Sequence, residues 1–231
     1  MKLKKKKLGK VLLFGRKNCH YTHKIKALLE RKSEKLVYLE SKKVGEKIKK
    51  KYLKLKVDYI FCFRSFYILK NLSLKNTSKA AINFHPGPPE YRGIGSVNYA
   101  IFNNSKFYGC TAHLINNKID NGKIIDVKKF KISKKDSVEK VLLKTYKIMT
   151  KQAIYIINKI CENPKIIDKF IVKNNKFFWS KKIKKLKDLD NFYEIKKDIS
   201  RKDFFKKLLA TQTKNFKPYL FIHGKKFILE K

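Results

Sequence analysis

The sequence predicts an α/β fold: a doubly wound, mostly parallel sheet followed by a small C-terminal α+β extension. Three observations predict it. Apolar runs of strand length alternate with segments of helical periodicity, the pattern of consecutive βαβ units. The run Val57-Asp58-Tyr59-Ile60-Phe61-Cys62-Phe63 is largely apolar, as suits a strand at the centre of such a sheet. Asn163-Pro164 then marks a boundary, beyond which the chain turns rich in Lys and aromatics (Phe177, Phe178, Trp179, Phe192, Tyr193).

The elements follow in order. Lys10 to Gly15 reads as a first buried strand, and residues 21–32 as a helix with Ile25, Leu28 and Leu29 on one face. The turn between them, Gly15 to Cys19, lacks the glycine fingerprint of a dinucleotide site. Leu36 to Leu39 is a short second strand, residues 44–54 a Lys-rich helix, Val57 to Phe63 the third strand and Ala81 to His85 the fourth. Residues 94–103 form a helix, 108–115 a strand and Ile124 to Ile132 another extended segment. Ser137 to Ile160 is a long amphipathic helix that Ser137 caps or begins, with Glu139 in its first turn. In the extension, Asp203 to Leu209 suits a short helix, and Tyr219 to Leu229 two strands joined at Gly224. The predicted division is a core over residues 1–164 and an extension over 165–231. In open α/β sheets ligands bind at the carboxyl ends of the strands, where Arg64 and His85 fall.

The chain of 231 residues carries a net charge of +41. Of 59 Lys and Arg only five are Arg, namely Arg16, Arg31, Arg64, Arg92 and Arg201. Specific nucleic-acid readers use Arg freely for its planar fork. A surface built from Lys, Asn and Ile instead fits an AT-biased genome, so specific nucleic-acid binding is not expected. The charge still attracts polyanions at low salt and favours a phosphorylated substrate. Cys19, Cys62, Cys110 and Cys161 show no paired spacing, which points to reduced thiols in a cytoplasmic protein. Cys19-His20-x-x-His23 offers three candidate ligands in one loop but no distant partner cluster, so no metal is expected. No segment approaches transmembrane length, and Val11 to Phe14 is too short for a signal sequence.

Asn83 and His85 stand two residues apart in an otherwise apolar strand, so both project to one face. Buried there, they are either a mutually satisfied structural pair or a site of chemistry. Pro86 and the loop Gly87-Pro88-Pro89-Glu90-Tyr91-Arg92-Gly93 end the strand, and a cis bond is expected at Gly87-Pro88 or Pro88-Pro89. Asp120-Asn121-Gly122 follows about thirty-five residues after His85.

This constellation resembles the active-site signature of the formyltransferase family, which reads Asn-x-His-Pro, a Pro-rich loop often closing with Tyr-Arg-Gly, then Asp-x-Gly. Asn98 to Asn104 and Tyr108 to His113 look like that family's helix and its Gly-x-Thr-x-His strand, so the resemblance spans roughly residues 55–132. It implies a Rossmann-like formyltransferase core, 10-formyltetrahydrofolate as formyl donor, and Asn83, His85 and Asp120 as catalytic residues. A side-chain amide such as Asn83 can donate to the developing oxyanion. His85 and Asp120 both remain open as the base. By resemblance the segment Phe61 to Leu69 presents backbone groups to the folate's pterin ring in an apolar slot, with Phe63, Arg64, Ile68 and Leu69 as candidates, and the loop Ile115 to Ile119 closes its other side.

The loop Gly87 to Gly93, with Ile94-Gly95 after it, looks most like the sugar N-formyltransferases, which act on nucleotide-linked amino sugars. Glycinamide ribonucleotide and aminoarabinose relatives tend to carry Ser-Leu-Leu-Pro-like loops, and methionyl-tRNA relatives a longer C-terminal barrel. Tyr91, Arg92 and Trp179 are the candidate acceptor-binding residues, Trp179 either stacking on a base or packing on the core. A homodimer is implied by the relatives, with the aromatic C-terminus as its surface. The remaining readings are another acceptor amine or a non-enzymatic polyanion- or RNA-binding module.

Overall fold

The structure, a computed structural model, describes residues 7–69, 74–213 and 216–230. Strand β1 (Leu8–Arg16) leads into helix α1 (His20–Lys32), β2 (Ser33–Ser41), the single turn α2 (Lys50–Leu53), β3 (Val57–Phe63) and β4 (Thr77–His85). Helix α3 (Ser96–Phe102), β5 (Phe107–Leu114), β6 (Ile124–Lys131) and the long α4 (Val138–Glu162) complete the core. The remaining chain forms α5 (Ile166–Lys173), α6 (Leu186–Tyr193), α7 (Arg201–Thr211) and the hairpin β7 (Tyr219–Ile222) and β8 (Lys225–Ile228).

Six strands make one sheet in the order β2-β1-β3-β4-β5-β6. The pairs β1–β2, β1–β3 and β3–β4 are parallel, while β4–β5 and β5–β6 are antiparallel. Only β5 therefore runs against the rest, and the sheet is mostly parallel, doubly wound and flanked by helices.

Alternation along the strands builds two cores. Val11, Leu13, Tyr59, Phe61, Phe63, Ile82 and Phe84 face α1 and α4, where Ile25, Leu29, Met149, Ala153 and Ile156 meet them. Leu12, Phe14, Ile60, Cys62 and Ala81 face the opposite side, against Leu69, Tyr67 and Ile115. Each large apolar side chain fully buried this way contributes about 1.5–3 kcal/mol, which is why the central strands carry so little charge. A third cluster joins α3, Tyr108, Phe130 and α4 to Ala210 of α7. There the Asn98 amide donates to the Ala210 carbonyl at 2.6 Å and to the Tyr193 hydroxyl at 3.2 Å, so the extension is tied to the core by a buried polar anchor.

Two expectations are corrected. The helix expected over residues 44–54 is reduced to Lys50–Leu53. Gly45 takes φ 81° in a turn closed by Glu46 N–H to Lys43 C=O, and Val44 is exposed, so no apolar stripe holds a longer helix down. No peptide bond among the described residues is cis. The loop after His85 closes with all-trans prolines through Tyr91 N–H donating to Pro88 C=O at 3.0 Å. Helices α5 and α6 were not anticipated. Ser137 is the N-cap of α4, its side chain accepting from Lys140 N–H.

Candidate active site

Strand β4 ends with Asn83 and His85 on the face opposite Ile82 and Phe84. In the antiparallel register Asn83 lies across from His113 and His85 across from Thr111. Four polar residues thus meet where β4 and β5 end their pairing. Tyr108 and Thr111 of β5 donate to the carbonyls of Pro86 and Gly87, both at 2.8 Å, and fix the loop that leaves β4. Position 87 must be glycine, because a Cβ there would stand 2.7 Å from His85 Nε2.

Asp120 reaches this cluster from the β5–β6 connection. His85 Nδ1 lies 3.3 Å from Asp120 Oδ2, and His113 Nε2 lies 3.5 Å from Oδ1. The Asn83 amide donates to Asp120 Oδ1 at 3.3 Å and stands 3.1 Å from His113 Nε2. The histidine protons follow from their partners. His113 Nδ1 sits 2.7 Å from the Leu114 carbonyl, which only accepts, so Nδ1 donates, and Nε2 faces both the Asn83 amide and Asp120 Oδ1. His85 Nε2 donates to the Tyr91 carbonyl at 3.1 Å, so a proton on Nδ1 as well makes the contact with Asp120 an ion pair. Burial works against ionising Asp120. Its neighbours His85 and His113 and the Gly93 N–H outweigh that penalty and hold its carboxyl well below the usual carboxylate range. The cluster is therefore built to keep a carboxylate charged in a nearly dry place and to hold or release a proton at an adjacent imidazole.

The Asp120 backbone is itself unusual, with φ 42°, a left-handed conformation that Asp tolerates better than most residues but that still costs of order 1 kcal/mol. Gly122 packs so closely on the Leu114 carbonyl that a Cβ would lie 1.7 Å from it. Arg92 donates Nε and Nη2 to the Ile119 carbonyl at 2.9 and 2.5 Å. Trp179 donates its indole N–H to the Gly122 carbonyl at 2.8 Å and stands roughly perpendicular to the rings of His113 and His85, with centroids 4.9 and 5.9 Å away.

The structure brings Asn83, His85 and Asp120 together and adds His113, which sequence reasoning had placed in a strand without a role. The signal was available: Thr111 and His113 alternate along β5 as Asn83 and His85 do along β4. Leu69 and Ile115 share one apolar cluster on the face from which Asn83 and His85 project, and Ile68 is exposed. Phe63 is placed elsewhere. It is fully buried on the α1/α4 face, tilted against Phe84, so its side chain cannot line a slot on the Asn83 face. The Arg64 guanidinium lies 3.5 Å over the Tyr146 ring and donates to Cys19 Sγ at 3.1 Å, likewise away from the cluster. The Tyr91 ring packs near Tyr108 while its hydroxyl meets Ser105, and it serves the cluster through its carbonyl. Among the described residues no group of His, Cys, Asp and Glu is arranged to hold a metal, and no helix is long and apolar enough to cross a membrane.

Comparison with known proteins agrees with this geometry. Residues 10–156 match the family described as formyl transferase. The bifunctional polymyxin resistance protein ArnA of Wigglesworthia glossinidia brevipalpis is 36% identical over 107 residues, 46% of this chain and 16% of that protein. Methionyl-tRNA formyltransferase of Buchnera aphidicola subsp. Acyrthosiphon pisum is 32% identical over 136 residues, 58% of this chain and 43% of that protein. The matched segments thus span less than half of these curated relatives. A sugar N-formyltransferase from Shewanella sp. FDAARGOS_354 superposes with a TM-score of 0.69 at 18% identity over 96% of both chains. The N-formyltransferase of Helicobacter canadensis, solved with folinic acid and dTDP-3-aminofucose, gives 0.64 at 17% identity over 93% of this chain and 84% of its own. With more than half of its residues inside the family match, the chain belongs to the formyl transferase family.

Proposed function

We propose that the protein transfers a formyl group from 10-formyltetrahydrofolate to the amino group of a nucleotide-linked amino sugar. The observation that carries this reading is that Asn83 and His85, at the carboxyl end of β4, each stand 3.3 Å from the Asp120 carboxylate. The Shewanella and Helicobacter structures support the sugar class, since they match nearly the whole chain, extension included.

The donor supplies a formyl group on an activated amide nitrogen. The apolar patch of Leu69 and Ile115, beside Asn83, suits the flat ring of a folate. At the reacting carbon the Asn83 amide donates to the oxygen as its charge grows, a contribution of about 2.7–4 kcal/mol for one such donor. The His85–Asp120 pair takes the proton lost by the attacking amine. Residues 1–164 carry this chemistry, and residues 165–231 cover it from the acceptor side. Lys181 and Lys182 beside Trp179 suit the acceptor's phosphates, and exposed Phe221, Phe227 and Ile228 of the hairpin suit contact with a second copy. The four free cysteines fit a reducing, cytoplasmic setting. A second acceptor, methionyl-tRNA, is favoured by the Buchnera relative and the +41 charge.

The test is release of tetrahydrofolate from 10-formyltetrahydrofolate with dTDP-amino sugars, glycinamide ribonucleotide or methionyl-tRNA in separate reactions. Turnover with an amino sugar, lost in Asn83→Ala and His85→Ala, is the expected result. Turnover only with tRNA or the ribonucleotide would keep the chemistry and replace the acceptor. A steep salt dependence of RNA binding with no folate binding would replace the reading with a polyanion binder.

A further inference from the structure

Asp120 holds its left-handed backbone between two grips. Arg92 places two N–H groups on the carbonyl of Ile119, one residue before it, and Trp179 places its indole N–H on the carbonyl of Gly122, two residues after it. Both side chains are anchored by the same stretch of extension. Lys184 N–H donates to the Arg92 carbonyl at 3.1 Å, Ile94 N–H to the Lys184 carbonyl at 2.8 Å, and Ser180 N–H to the Pro89 carbonyl at 3.0 Å. Residues 179–184 therefore run beside the loop after His85 and close over the loop that carries Asp120. The residue types fit the task. In a chain where 54 of 59 cationic residues are Lys, position 92 is one of five Arg, and only a guanidinium sets two N–H groups in one plane on one oxygen.

We propose that Arg92 and Trp179 are positioning residues that bracket Asp120 and thereby set its contacts with His85 and His113; the inference rests on the formyl-transfer reading above. The groups facing the Asp120 carboxylate are His85 from β4, His113 from β5, the Asn83 amide and the Gly93 N–H. Loosening either grip lets the carboxylate drift from both imidazoles, which lowers turnover while leaving the acceptor's own contacts in place. Residues that held the acceptor would behave the other way, raising its KM and leaving the imidazoles undisturbed.

Conservative variants separate the two. Arg92→Lys keeps the charge and loses the fork; Trp179→Phe keeps a ring against the histidines and loses the N–H. The ring signals of His85 and His113 are followed by NMR across pH in the full-length protein without substrates, and kcat and KM are then measured with 10-formyltetrahydrofolate and the acceptor. The expected result is a displaced titration of at least one of the two rings, with kcat reduced about tenfold to 10²-fold and acceptor KM within about twofold. Unmoved titrations in both variants overturn the bracket, as does a raised KM with kcat retained. The titration needs no substrate, so it tests the bracket even if the wild-type protein proves to formylate no amine. Melting curves check that both variants fold, and Trp179→Tyr replaces Trp179→Phe if that one does not.

Discussion

Asn83 and His113 face each other directly across the antiparallel β4–β5 pair, and the Asn83 amide nitrogen stands 3.1 Å from His113 Nε2. The amide proposed as the oxyanion donor thus stands against an imidazole thirty residues away, whose far nitrogen donates to its neighbouring carbonyl.

His113→Phe removes the imidazole that stands against the Asn83 amide and is one neighbour of Asp120. Turnover is expected to fall by up to about 10²-fold through misplacement of the donor. Tetrahydrofolate release at saturating acceptor checks it, and full activity in a folded variant would show that Asn83 needs no such guide.

Asp120 gives the stability of the protein a defined acid dependence. Its folded-state carboxyl is depressed below the unfolded value, despite burial, by His85, His113 and the Gly93 N–H. A depressed acid contributes stability that is fully present above the unfolded pKa, about 3.9, and is lost as pH falls through that value toward the folded one. Denaturant titrations from about pH 5 to pH 2 should therefore show a shallower loss of stability in Asp120→Asn than in the wild type. Equal slopes would mean that the carboxyl gains nothing from the cluster.

Tyr59 is 1% exposed, and its hydroxyl has no hydrogen-bond partner among the described residues. Burial raises its pKa to about 12. A buried unpaired polar group costs about 1–3 kcal/mol, so Tyr59→Phe should keep or raise the melting temperature, by roughly 2–4 °C per kcal/mol relieved in a protein of this size. A clear drop in calorimetry would reveal a partner for the hydroxyl.

Asn98→Ala strips partners from the Tyr193 hydroxyl and the Ala210 carbonyl at once. A loss of about 1–3 kcal/mol is expected, with earlier proteolytic cleavage in residues 165–231 than in the core. Limited proteolysis followed by mass spectrometry reads it, and an unchanged digestion pattern would mean that apolar packing alone holds α7 to α3.

The central strands were legible because a strand buried on both faces leaves an unbroken apolar run, and α4 because its stripe runs for many turns and Ser137 marks its start. The reversal of β5 was not legible: alternation looks the same whichever way a strand runs. The Lys-rich stretch 44–54 misled because Lys is a good helix former, while no residue there is fully buried and Ile48 alone packs on an apolar cluster, too little to hold the turns. At the site, Asn83 and His85 stood out since period two puts them on one face. The same period puts Phe63 with Phe61 and Tyr59 on the other face, so its side chain points away from Asn83 for a reason visible in the alternation itself. His113 and the grips on Asp120 depend on cross-strand register and on a loop meeting a distant segment, which no local pattern encodes.

Residue order gives the covering segment one more consequence. Asn83, His85, His113 and Asp120 are all synthesised before Trp179, which follows Asp120 by about sixty residues. At 5–20 residues per second, roughly 3–12 s separate the synthesis of Asp120 from that of the indole that closes over it. The segment that closes over Asp120 is therefore translated after every residue of the cluster it covers.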